Sequence, residues 1–381
     1  MRIAQVAPLY ESVPPKLYGG TERVVSYLTD ALVDLGHDVT LFAAGDSITR
    51  AQLLPGAPHA LRLDPDAVDA LAPHLVMLER VYQALDTFDV VHFHLDYLHF
   101  PLSRRYQFAR LTTLHGRLDI PELQGLYDCY RDEPVVSISD NQRRPLPQAH
   151  WRGTVYHGLP RELLRPASGA GGDAAGGYLA FLGRISPEKR VDRAIEIAQR
   201  TNIPLKIAAK VDRVDREYFD ERIAPLLRSP LVEYIGEIAE DEKSAFLSGA
   251  RALLFPIDWE EPFGLVMIEA LACGTPVVAF RRGSVPEIVE DGVTGFLVDS
   301  VDAAVDAVGR LDALSRATCR QVFEQRFTAE RMARDYVAAY TSQIAQRTER
   351  QSFKQTRALL KRVESGVNPG VKPDLPLASH H

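Results

Sequence analysis

PIDWEEPFGLVMIEALACGTPVVAFRRGSVP, residues 256–286, decides the reading of the fold. Apolar runs at Ala252–Phe255 and Pro276–Phe280 have strand composition, and the residues between them have room for one helix. Pro262-Phe263-Gly264 marks where that helix begins. The backbone N–H groups of Phe263, Gly264 and Leu265 then point out of its start, without intrahelical acceptors. Glu261 sits at the mouth of the helix. Glu269 follows about two turns along, on roughly the same face. Such a pair can bind the hydroxyls of a sugar and of a ribose. The plainer reading is a cap plus a solvated helix face. The setting between two apolar strands, with Gly274-Thr275-Pro276 following, favours binding.

Outward from this stretch, strands and helices alternate along the chain. Towards the C-terminus a strand is expected at Gly295–Val298. Upstream, strands are expected at Tyr178–Gly183, Pro204–Ala209 and Leu231–Gly236. A small-residue stretch, PASGAGGDAAGG at Pro166–Gly177, reads as a linker. Its residues 169–174 fit a GxGxxG/A pattern but precede a strand, so no helix start is there to receive a pyrophosphate. Before the linker, strands are expected at Arg2–Pro8, Asp38–Ala44, Asp89–His94, Leu111–His115, Pro134–Ser137 and Thr154–His157. Val24, Val25, Leu28, Leu32 and Leu35 give residues 21–35 a helical period, with Thr21 as N-cap and Gly36 as stop. Such alternation implies parallel βαβ units. The fold class is therefore α/β: two Rossmann-like domains facing a central cleft, with ligands at the carboxyl ends of the strands. The expected division is residues 1–165, 166–345 and a C-terminal helix and tail over 346–381.

Further candidates lie at strand ends. Gly19-Gly20 opens the first long helix, where glycines let a ligand approach and free N–H groups favour an anion. Arg184 follows a strand directly and Lys189 lies in the next turn; two cations there can embrace a diphosphate. His92, His94, Asp96 and His99 resemble a metal cluster, but a role in the acceptor cleft is favoured and no metal is expected. The segment Gln346–Glu364 is basic and partly apolar. Packing across the domains is favoured for it over contact with an anionic membrane.

Composition limits the function. The chain has 381 residues, with 44 Lys+Arg against 51 Asp+Glu, a formal net charge of -7, which argues against nucleic acid as partner. Three scattered cysteines, no apolar signal region in MRIAQVAPLYESVPP and no apolar run of about 18 residues point to a cytoplasmic protein without a spanning helix.

These segments together resemble the retaining glycosyltransferases of family 4, which have the GT-B fold. The resemblance covers nearly the whole chain. It runs through Gly19-Gly20, Leu114-His115-Gly116, the Arg184/Lys189 pair, Glu261-Pro262-Phe263-Gly264, Glu269-Ala270, residues 273–279 and residues 292–298. It implies that Gly19 and Gly20 approach the donor phosphate and the acceptor, and that His115 lies beside the donor sugar. It implies that Arg184 and Lys189 neutralise the leaving diphosphate and that Glu261 holds hydroxyls of the transferred sugar. Amides at Phe263, Gly264 and Leu265 would bind sugar and phosphate, and Glu269 the ribose. The chain departs from the family at Ala208-Ala209-Lys210-Val211-Asp212, where many relatives have a Gly-rich turn, and at His157-Gly158, where many have Asn-Gly. The implied activity is retaining transfer of a hexose, with glucose favoured, from a nucleotide-diphospho-sugar, with UDP favoured. The acceptor would be a small molecule, a glycan or a lipid-linked hydroxyl. The implied mechanism is front-face and metal-independent, with no cofactor beyond the donor. The alternatives are a two-domain sugar or nucleotide binding protein and a sugar-nucleotide epimerase on the same fold.

Overall fold

The computed structural model describes residues 1–16, 19–166 and 177–364. The first half runs β1 (Arg2–Val6), α1 (Gly20–Asp34), β2 (Asp38–Ala44), β3 (Gln52–Ala57), α2 (Leu71–Gln83), β4 (Val90–Phe93) and α3 (Phe100–Ser103). It continues with β5 (Arg110–Thr113), α4 (Glu122–Cys129), β6 (Pro134–Ser137) and β7 (His150–Thr154). The second half runs β8 (Tyr178–Arg184), α5 (Val191–Thr201), β9 (Leu205–Lys210), α6 (Arg216–Tyr218), β10 (Val232–Gly236), α7 (Lys243–Ser248) and β11 (Ala250–Phe255). After these come α8 (Leu265–Ala272), β12 (Val277–Phe280), α9 (Val285–Ile288), β13 (Gly295–Val298), α10 (Val301–Val308), α11 (Arg316–Arg326) and α12 (Ala329–Glu364).

Two sheets result. Their orders are β3-β2-β1-β4-β5-β6-β7 and β10-β9-β8-β11-β12-β13, and every pairing is parallel. In each, the strand order reverses beside the first strand, β1 against β4 and β8 against β11. A crevice opens there beyond the carboxyl ends. The central strands are buried on both faces, as parallel sheets require. Helix α1 buries Val24, Val25, Leu28 and Leu32 against the first sheet. Each Leu contributes about 1.5–3 kcal/mol by leaving water.

Several details differ from the sequence reading. Helix α1 starts two residues earlier than a Thr21 cap would place it, so Thr21 lies inside it and Gly19 occupies the N-cap without a side-chain cap. Strand β3 was not expected; its Pro55 and Gly56 hide it, and both are tolerated because it forms the sheet edge. The last strand of the first sheet is His150–Thr154, not Thr154–His157, because the chain after Thr154 leaves the edge for the second domain. There the two interdomain crossings run side by side. Leu159 pairs with Thr328, Leu159 N donates to Phe327 O (2.9 Å) and Ala329 N donates to Leu159 O (2.8 Å). A Cβ on Gly158 would lie 2.2 Å from Thr328 O, so only glycine fits this approach. From Ala329 the chain is back on the first domain, where Tyr336 and Tyr340 of α12 are fully buried. The crossing therefore falls well before the boundary expected at 345. Most of the expected linker, 167–176, and the end of the tail lie outside the described residues. So do the side chains that make the segment after Glu349 basic.

Candidate active site

A cavity of about 680 Å³ opens between the carboxyl ends of the two sheets. All ten residues singled out from the sequence line it: Gly19, Gly20, His115, Arg184, Lys189, Glu261, Phe263, Gly264, Leu265 and Glu269. On the N-terminal side, a Cβ at Gly19 would stand 2.9 Å from Pro15 Cβ, so the loop closes only around glycine. A Cβ at Gly20 would stand 3.9 Å from Leu265 Cδ1, so the starts of α1 and α8 face each other across the cleft. His115 follows β5. Its Nε2 lies 2.8 Å from His94 Nδ1, and its ring stacks on His157 at 5.3 Å. Burial holds His115 well below the ordinary imidazole pKa, so it is neutral at neutral pH.

The C-terminal wall carries the charges. Arg184 ends β8 and pairs with Glu188 and, at 3.4 Å, with Asp212. Lys189 pairs with Glu261 and lies over the Trp259 ring at 5.0 Å. Glu261 also accepts from Trp259 Nε1 at 3.1 Å. Glu269 pairs with Lys243 at 2.8 Å, and Lys243 with Glu240 at 3.1 Å. Glu240 then reaches Arg23 on α1, across the cleft. Burial works against the Lys243 charge, but Glu269 and Glu240 outweigh it and raise its pKa. Glu261 and Glu269 are therefore not a solvated helix face: they are 8% and 4% exposed.

Helix α8 starts later than expected. Gly264, at φ +80°, is its N-cap, so Leu265 and Val266 follow as the first helical residues, while Met267 N bonds Gly264 O at 3.0 Å. The left-handed turn at Gly264 shifts the outward N–H groups on from Phe263. The Phe263 ring is instead buried at the interdomain crossing, 4.8 Å from His157 and 6.4 Å from Phe327.

Comparison with known proteins agrees with this geometry. The family profile described as "Glycosyltransferase Family 4" fits residues 18–158, and that described as "Glycosyl transferases group 1" fits residues 173–321. The chain is a family 4 glycosyltransferase. An uncharacterized glycosyltransferase of Methanocaldococcus jannaschii is 25% identical over 89% of this chain and 98% of its own. D-inositol 3-phosphate glycosyltransferase of Mycobacterium leprae is 35% identical over 48% of this chain and 46% of its own, so that match spans about half of each protein. Among solved structures, AviGT4, a glycosyltransferase involved in avilamycin A biosynthesis, superposes with a TM-score of 0.69 at 26% identity, covering 91% of this chain and 98% of its own. HepE of Anabaena, solved with UDP and glucose, superposes with a TM-score of 0.69 at 18% identity, covering 90% and 100%. The fold of this glycosyltransferase is GT-B.

Other residues of the transferase stand at the site, some of which the sequence reading passed over. Lys243 and Trp259 hold the two glutamates, and no motif marked either. Gly283, at φ +57°, packs on the Glu261 backbone: a Cβ there would lie 2.3 Å from Glu261 N. The Gly283-Ser284 pair carried a hint, a turn composition. Lys210, in the segment that departs from the family, lines the cleft and pairs with Asp212 at 2.9 Å. The histidine cluster does not form the cleft wall expected of it. His92, His94, Asp96 and His99 do not line the cavity. Both ring nitrogens of all three histidines are engaged, those of His99 by Ser103 (2.6 Å) and Thr112 (2.9 Å). Among the described residues no helix is long and apolar enough to cross a membrane.

Proposed function

We propose that this glycosyltransferase moves a hexose, with glucose the favoured sugar, from a UDP-sugar to an acceptor hydroxyl with retention of configuration and without a metal ion. The observation that carries the proposal is the wall on which Arg184, the Lys189–Glu261 pair and the start of α8 converge, opposite Gly19-Gly20. Cations and a helix start suit a diphosphate, and buried carboxylates suit hydroxyls. HepE, solved with UDP and with UDP-glucose, supports a uridine donor by shared fold.

On this reading the C-terminal domain holds the donor and the N-terminal domain the acceptor, a small molecule, a glycan or a lipid-linked hydroxyl. The transferase works in the cytoplasm and needs no cofactor beyond its donor. The acceptor hydroxyl attacks on the face from which the diphosphate departs, and a departing phosphate oxygen takes its proton. Arg184, Lys189 and the N–H groups at the start of α8 stabilise the charge that develops as the glycosidic bond breaks. Glu261 and His115 meet hydroxyls of the transferred sugar, and Glu269 those of the ribose. Because Glu261 orients and does not attack, no covalent glycosyl enzyme forms.

The test is a panel of UDP, GDP and ADP sugars, followed by release of nucleoside diphosphate and by NMR of the product. The expected result is turnover with UDP-glucose and an α-linked product from the α-linked donor. A β-linked product, or a glycosyl adduct on the protein by mass spectrometry, would overturn the mechanism. Turnover of the donor without transfer would overturn the reaction class.

A further inference from the structure

His92 on β4 packs under α12, and His94, the residue after the strand, lies on the same face, its ring 4.1 Å from that of His92. From the cleft inward, His115 Nε2 lies 2.8 Å from His94 Nδ1, and His94 Nε2 lies 2.8 Å from Gln5 Oε1. Gln5 Nε2 donates to Tyr340 Oη at 3.0 Å. Tyr340 Oη lies 2.7 Å from His92 Nδ1, and His92 Nε2 lies 2.7 Å from Thr113 Oγ1. One continuous hydrogen-bonded chain thus joins a cleft-lining ring to the last helix, and Gln5, His92 and Tyr340 within it are fully buried.

The direction of this chain is set by which way the Gln5 amide faces. Burial holds His92, His94 and His115 well below the usual imidazole pKa, so each ring is neutral and carries one proton. A neutral imidazole that accepts at one nitrogen donates at the other. In Gln5, by contrast, the donor and the acceptor are different atoms. Its oxygen faces His94, so His94 carries its proton on Nε2 and accepts at Nδ1. His115 must then donate from Nε2, which leaves its Nδ1 as a lone pair. That Nδ1 is buried and has no hydrogen-bond partner among the described residues. At the other end Tyr340, accepting from Gln5, gives its hydroxyl proton to His92 Nδ1, and His92 donates onward to Thr113.

We propose that Gln5 and Tyr340 are positioning residues: they fix His115 in its Nε2–H tautomer, so that Nδ1 is offered to the substrate as a hydrogen-bond acceptor for a hydroxyl. The offer to a substrate rests on the reading of the cleft as a donor site; the tautomer does not. Tyr340 acts by giving the Gln5 amide nitrogen an acceptor. Without that hydroxyl either end of the amide can face His94, and the proton on His115 is no longer assigned to one nitrogen.

The test is the two-bond 1H–15N spectrum of the ligand-free protein labelled in histidine, with the His115 signals identified by their loss in His115→Asn. It needs no donor, so its outcome is independent of the proposed activity. In the wild type, His115 Nε2 is expected to have the shift of a protonated nitrogen and Nδ1 that of a bare one. In Tyr340→Phe the two shifts move towards each other as tautomers mix. If the tautomers equalise, the competent fraction and kcat/KM fall roughly twofold. Tyr336→Phe removes the neighbouring buried hydroxyl of α12, which bonds Thr113 at 2.8 Å, without touching Gln5, and should leave His115 unchanged. The chain also closes with every proton reversed, so a protonated Nδ1 in the wild type overturns the proposal. So do His115 shifts unmoved by Tyr340→Phe, or moved equally by Tyr336→Phe.

Discussion

Lys189→Met and Glu261→Gln, made singly and together, separate what their ion pair does for the fold from what it does for transfer. Methionine keeps the apolar stem beside Trp259 and removes the charge; glutamine keeps the shape of Glu261. Removing one partner of a fully buried pair costs about 3–5 kcal/mol. These side chains keep 17% and 11% exposure, and Glu261 retains the Trp259 N–H, so each single change is expected to cost less, about 1–3 kcal/mol. The double variant strands neither charge, so urea unfolding should show it more stable than the sum of the single losses. Transfer should behave differently. Loss of one group that stabilises the charge developing on the leaving diphosphate costs ~10²–10³ in rate. Lys189→Met should therefore lose that factor in nucleoside diphosphate release, and the double variant should not regain it. Near-wild-type turnover in Lys189→Met would refute the assignment of this cation to the leaving group. Recovery of rate in the double variant would reduce the pair to a structural one. Strict additivity in stability would show that the two charges do not interact.

Three further outcomes are expected. Gly283→Ala must push a Cβ away from Glu261 N, at 2.3 Å, from a φ of +57°; a shift of about 1 Å in Glu261 should lower transfer ~10²-fold, and an unchanged rate would remove Gly283 from the site. His92, His94, His99, His115 and His157 are held neutral by burial, so below the unfolded pKa of about 6.5 the unfolded chain binds more protons than the folded one. Stability from this source is complete above that pH and falls as pH drops below it, by about 1.4 kcal/mol per pH unit for each histidine; a flat unfolding free energy between pH 7 and 5 would contradict the burial argument. Transfer should survive excess EDTA, and loss of activity restored by Mg²⁺ or Mn²⁺ would contradict the proposed metal-free handling of the diphosphate.

What was legible in the sequence was local. Asp38–Ala44, Pro134–Ser137 and Gly295–Val298 are strands at the bounds their apolar runs suggest, because a parallel strand buried on both faces has a nearly continuous apolar sequence. Gln52–Ala57 escaped because an edge strand needs neither that run nor every N–H. Nine of the ten cleft residues were legible because strand ends and glycine-marked helix starts have local signatures; His115 came from the family resemblance alone. Their partners were not. Lys243 reaches Glu269 from another element, and nothing in its own neighbourhood announces it. Thr21 misled because capping preference ranks residue types, whereas Gly19 was required there by the closeness of Pro15. The histidines misled in a similar way. Alternation through β4 and the residue after it correctly put His92 and His94 on one face, but that face met tyrosines that arrive from residues 336 and 340, far along the chain.

The arrangement also explains how a chain with a net charge of -7 can offer a site to an anion. In the ligand-free cleft the cations are matched by carboxylates: Lys189 by Glu261, Lys243 by Glu269, Arg184 by Glu188 and Asp212. A half-buried ammonium facing an empty cleft would bear a desolvation cost, which its carboxylate offsets. On the proposed reading, the arriving diphosphate takes over Lys189, and the sugar hydroxyls take over Glu261. Neither group is left bare before or after, so binding exchanges one set of charge-assisted hydrogen bonds for another. A free phosphate lacks the hydroxyls and would leave Glu261 uncompensated. A free sugar lacks the phosphates and would have to share Glu261 with Lys189. The pairing therefore discriminates for a molecule that carries both, and it ties the two halves of the donor together through one pair of side chains.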